Sequence, residues 1–258
     1  MNEENSKYHA KIKTKSTESF ATFWQEIQRS EMLISYLEVG NKLISKNNGE
    51  AKEYFTSIYD HVANPEMVKK SLNSNLDSFL DVNFYEIHLS SMIYVNTIDN
   101  FNTYFKDILS EVVLKKPQIL KSQESEKLDF ILEHESLDDL ISSIASKKIE
   151  ELFYKGIKDI EKFFKSRLNI DIFKTDEHRK NINFYIQLRN LTVHNRRKIS
   201  KEFAKQFPEY VNQIGQHLNF EFSYVSKMNL CLFNFVATID EEISKKFKLK
   251  IITGLRTR

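Results

Sequence analysis

Three residue types are scarce in this chain of 258 residues, which has one cysteine, three prolines and five glycines. The lone Cys231 cannot close an internal disulfide. In the apolar run NLCLFNF it reads as a small buried hydrophobe, which fits a reducing, intracellular setting. So little Gly and Pro argues against a β-rich fold, whose turns consume those residues. No apolar run approaches the roughly 18 residues of a membrane span. The N-terminal MNEENSKYHAKIKTKSTESF has no apolar signal core, so a soluble, cytoplasmic protein with no membrane partner is expected. No His, Cys and acidic residues stand together at metal-ligand spacing, and neither a metal nor another cofactor is expected.

What the chain does have is 20 Phe, 11 Tyr and 29% charged residues, a mixture suited to long amphipathic helices around an aromatic core. Apolar residues recur every three or four positions at Phe20, Phe23, Trp24, Ile27, Leu33, Ile34 and Leu37, and again at Tyr94, Ile98, Phe101, Phe105, Ile108 and Val112. The spacing predicts helices over about 16–45 and 80–114. SKNNGEAKEY reads as a loop before a short helix near Tyr54–Val62. A helical region is expected from about Leu137 to Phe164, then a helix opened by Thr175 or Asp176, a short one stopped before Pro208, and a last one over about Lys227–Lys246. NFEFSYV and KFKLKII alternate and suggest a small two-stranded patch near the C-terminus. The expected class is all-α, an antiparallel helical bundle. Residues 1–75 are expected to form an N-terminal helical extension and 76–258 the bundle.

Charge is uneven. Between His178 and Lys205 lie eight Lys or Arg and one acid, Glu202, a local charge of +7 that leaves −5 for the rest, since the whole chain is +2. Two readings of this window stand, a polyanionic partner or a solvated helix end with cations near its C-terminus. On a wheel for 182–197, Asn183, Gln187, Asn190, His194 and Arg197 form a polar stripe, and Phe184, Leu188 and Leu191 an apolar one. Arg189 falls within a third stripe of Ile182, Tyr185, Ile186 and Val193. A guanidinium stays charged and is costly to bury alone, so an anion, carboxylate or phosphate, is expected opposite it. An Arg followed by a His at some short spacing arises readily by chance, and the pattern alone carries little.

The stretch RNLTVHN, Arg189 to Asn195, resembles the signature of the HEPN family, an Arg, then a polar residue, then a His a few positions on. FYIQLRNLTVHNRRKISKEFAKQFPE is similar to single-domain bacterial HEPN proteins, and YVNTIDNFNTYFKDIL, Tyr94 to Leu109, resembles their first core helix. The likeness covers about residues 80–250. It implies a HEPN-type bundle that dimerises through the Arg189–His194 helix, each copy lending both residues to one composite cleft.

The resemblance further implies a metal-independent endoribonuclease of antiphage, abortive-infection or toxin type, with a regulatory protein partner as a further expectation. In that reading the ribose 2′-OH attacks the phosphate, and His194 moves the proton, an imidazole ordinarily titrating at about pH 6.5. Arg189 offsets phosphate charge, and Asn190 orients the imidazole or the phosphate. Arg196, Arg197, Lys198 and Lys201 hold the RNA backbone, and Asp99 is the candidate partner of Arg189. Arg196 stands where some family members carry a tyrosine modified by a partner nucleotidyltransferase, so that form of control is not expected. The alternative is a non-catalytic helical module that binds RNA or protein and dimerises.

Overall fold

Helix α1, Glu18–Lys46, begins where Thr17 caps it. The Thr17 hydroxyl oxygen accepts the Phe20 N–H at 3.1 Å, satisfying one of the open donors of the first turn. This computed structural model describes residues 15–58, 64, 66–67, 70, 82–121 and 125–252. The helices that follow are α2 Asn48–Ile58, α3 Val82–Lys115, α4 Leu128–Leu132, α5 Leu137–Lys155, α6 Ile157–Phe163, α7 Asp176–Asn195, α8 Lys201–Gln206 and α9 Phe222–Phe247. Short 3-10 turns lie at Pro117–Leu120 and Pro208–Gln213. The fold is an all-α helical bundle, and no described helix is long and apolar enough to cross a membrane.

Packing divides the chain into two units. The first takes Met1–Ile27, Thr97–Asn190 and Met228–Arg258, the second Gln28–Asn96 and Leu191–Lys227. The chain passes between them inside α1, α3, α7 and α9. In the first unit the core is aromatic. Phe105 meets Phe101, Tyr104 and Phe164 with ring centroids 5.1, 5.3 and 5.5 Å apart, and Trp24 meets Phe233 at 4.5 Å. The three Phe105 pairs are edge-on and add about 0.5–1.5 kcal/mol each beyond burial. Asp240, 4% exposed, sits under the start of α1. It accepts from the Thr17 N–H at 3.3 Å, from the Thr17 hydroxyl and from the Tyr104 hydroxyl at 3.2 Å. In the second unit Tyr94 of α3 packs on Phe220 and Tyr224, with centroids 4.9 and 6.2 Å away. Glu86 of α3 accepts the Phe222 N–H at 3.2 Å, placing a carboxylate at the N-terminus of α9, where the helix dipole favours it.

Several elements differ from their sequence reading. The two-stranded patch is not formed. Phe222 and Val225 lie in α9, and with Met228 and Leu232 they make a buried helical face. The apparent alternation came from Phe220, which precedes the helix and packs separately on Tyr94. Ile252 pairs instead with Ser16, one of two isolated antiparallel bridges, and no strand occurs among the described residues. The loop expected over SKNNGEAKEY shrinks to a bend at Asn47 between α1 and α2. The region expected as one helix to Phe164 is broken at Gly156, whose φ of 95° suits only glycine, between α5 and α6. Cys231 is half-buried rather than buried and shares a hydrogen bond with the Tyr185 hydroxyl, and burial raises its thiol pKa. The boundary expected at residues 75 and 76 lies outside the described residues.

Candidate functional site

α7 carries Arg189, Asn190 and His194. It starts where Thr175 Oγ1 accepts the His178 N–H at 3.1 Å, and it buries Ile182 and Leu188. The third stripe of the wheel is not buried along its length, since Ile182 is covered, Tyr185, Ile186 and Arg189 are half-buried and Val193 is exposed.

In the first unit the anion opposite Arg189 is a carboxylate. Nη2 lies 2.8 Å from Asp99 Oδ1 and donates to Oδ2 at 3.1 Å, while Nη1 donates to Asn190 Oδ1 at 3.4 Å. The side-chain oxygen of Asn190 therefore faces Arg189. The Arg189 Nε–H is buried and has no hydrogen-bond partner among the described residues. Asp99 is 46% exposed at its side chain, so water screens the pair. A pair of that kind contributes about 1 kcal/mol or less.

The second unit holds the end of α7 and the basic turn after it. His194 is exposed, and its ring makes no hydrogen bond or ion pair among the described residues. Arg196 and Arg197 both take left-handed backbone, with φ of 49° and 66°. A side chain with a Cβ pays for that conformation by about 1–2 kcal/mol, so the turn must be held from outside. Residues 215–218 hold it. The Arg197 carbonyl accepts the Leu218 N–H at 2.9 Å, Ile199 N–H donates to Gln216 O at 2.9 Å, and the Asn195 side-chain amide closes onto Lys198 O. His217 Nδ1 lies 3.0 Å from Arg196 O, which fixes the proton on that nitrogen as donor.

The turn sorts the cations. Arg196, Lys198 and Lys201 are exposed, Lys201 opening α8 behind its cap Ser200. Arg197 turns inward, and its Nη1 donates to Ile87 O at 3.4 Å and Asn219 Oδ1 at 3.3 Å. Burial lowers its pKa from the usual arginine value. His217 was not a sequence candidate, because it enters only through a bridge between Lys198 and His217 that no local pattern announces. No group of three or more His, Cys, Asp or Glu that could hold a metal ion occurs among the described residues. Comparison of the chain with family models, curated proteins and solved structures finds no match.

Proposed function

We propose that this chain is a metal-independent endoribonuclease of HEPN type that works as a homodimer in antiphage defence or as a toxin. The observation that carries the reading is in the second unit, where an exposed imidazole, His194, ends a helix and exposed Arg196, Lys198 and Lys201 follow within seven residues. An imidazole beside cations is what cleavage of RNA by its own 2′-OH requires. His194 takes the 2′-OH proton, the 2′-oxygen bonds to phosphorus, and the bond to the 5′-oxygen breaks. That oxygen takes a proton from water and leaves as a 5′-hydroxyl, the proton held by His194 returns to the hydroxide so formed, and the other product ends in a 2′,3′-cyclic phosphate. Arg189 contributes by exchanging Asp99 for a phosphate oxygen, with Asn190 steadying the guanidinium. DNA lacks the 2′-OH and is not cut.

A second reading rests on the ion pair itself. With Asp99 and Asn190 already on its guanidinium, Arg189 belongs to the fold, and the chain is a non-catalytic helical module that binds RNA through Arg196, Lys198 and Lys201. One assay separates the two. Purified chain is incubated with RNA in EDTA beside His194→Ala and Arg189→Ala, and the termini are analysed. The catalytic reading expects cyclic-phosphate ends and a rate loss of about 100-fold or more in His194→Ala with RNA affinity retained. Cleavage that persists in His194→Ala rejects it, and binding without cleavage by the unaltered chain assigns the second reading.

A further inference from the structure

Within the second unit, α1 is apolar on two opposite sides. Its inner side carries Ile34, 3% exposed, and is tied to the first turns of α9, where Ser226 Oγ donates to Glu31 Oε2 at 2.9 Å. Its outer side carries Met32 (72% exposed), Leu33, Tyr36 (74%), Val39 and Leu43, all open to solvent. Single exposed apolar residues are ordinary, but five large ones along one side of one helix make a contiguous patch of the kind that marks a contact. Residues 32, 36, 39 and 43 are spaced four, three and four apart, the rhythm of a coiled-coil seam.

We propose that this seam is an isologous contact with a second copy of the chain, the two α1 helices running antiparallel about a twofold axis level with the Leu37–Glu38 peptide. In an isologous contact residue i meets j wherever j meets i. The seam satisfies this about one midpoint, with Met32 opposite Leu43 and Tyr36 opposite Val39, so every layer is apolar. An antiparallel twofold keeps each flank of the seam with itself, so Leu33 lies beside Gly40 of the second copy on one flank and Ser35 beside its Lys42 on the other. Two copies of the five side chains hide on the order of 1,000 Å² in total, at the lower bound for a specific interface. None of these residues belongs to the proposed RNA site, and the contact stands or falls apart from it.

The test is the mass of the full chain in solution, by sedimentation equilibrium, for the unaltered protein, Tyr36→Glu, Val39→Lys and the double variant, with helical content checked by circular dichroism. Each single substitution places one charge in an apolar layer and is expected to halve the mass. The double substitution is expected to restore it, because antiparallel pairing sets each new carboxylate against the partner's new ammonium. A mass that Tyr36→Glu leaves unchanged rejects the contact, as does an unaltered chain of single-copy mass, with or without another protein bound. A double variant that stays dissociated rejects the antiparallel register.

Discussion

Arg189 and Asp99, 90 positions apart in the chain, form an ion pair across α7 and α3 of the first unit, with Nη2 and Oδ1 2.8 Å apart. The guanidinium is thus partnered before any substrate arrives. Its place among apolar residues made a counter-anion necessary. For Arg189 to meet a phosphate, Asp99 must be displaced, and half-exposure of the carboxylate keeps that exchange inexpensive.

Asp99→Asn tests the exchange directly. The amide keeps the shape and removes the charge, so chemical denaturation is expected to show a loss of about 1 kcal/mol or less. If Arg189 works on phosphate, RNA affinity rises, because the competing carboxylate is gone. Affinity that stays level or falls would place Arg189 in the fold alone.

The two arginines that follow α7 are expected to respond with opposite signs. Arg197→Ala removes the donor to Ile87 O and Asn219 and is expected to destabilise by about 1 kcal/mol. Arg196→Gly keeps the turn and relieves its left-handed strain. After allowing for the looser unfolded chain, it is expected to stabilise by about 0.5–1 kcal/mol. It also removes an exposed cation, so RNA affinity falls and the slope of its logarithm against log salt shrinks by about one. Urea melts and filter binding over a salt series read both. Equal destabilisation by the two substitutions would contradict the sorting of this turn.

How much of this was readable beforehand differs element by element. α3 and α7 were legible because their apolar residues keep helical spacing over many turns and Thr175 announces a cap. The start of α9 was not, since Phe220 and Phe222 mimic a strand when the packing of Phe220 on Tyr94 is unknown. The need of Arg189 for an anion follows from its neighbours, whereas Asp99 follows only from the likeness of residues 94–109 to a family helix. The inward turn of Arg197 had no sequence signal, because it depends on Ile87 and Asn219, far away in the chain. The outer seam of α1 was missed, because the periodicity followed there ran through Ile27, Ile34 and Leu37, and only Leu33 among its residues lies on the outer side.

Asp240 makes stability depend on pH in a direction opposite to most carboxylates. Burial, only partly offset by the hydrogen bonds from Thr17 and Tyr104, and with Glu111 nearby, raises its pKa from 3.8 to about 6. Because the folded value lies above the unfolded one, folding favours the protonated acid. Its contribution is fully present below about pH 3.8 and is lost as pH rises through about 6. A shift of that size corresponds to about 3 kcal/mol. Asp240→Asn keeps an acceptor for the Thr17 and Tyr104 donors but cannot ionise. Urea unfolding of both proteins from pH 4 to 8 is therefore expected to show the variant gaining on the unaltered chain as pH rises, with the gain levelling off above about pH 7. A difference between the two that is constant across this range would mean that Asp240 is already ionised at pH 4 and that its three donors outweigh its burial.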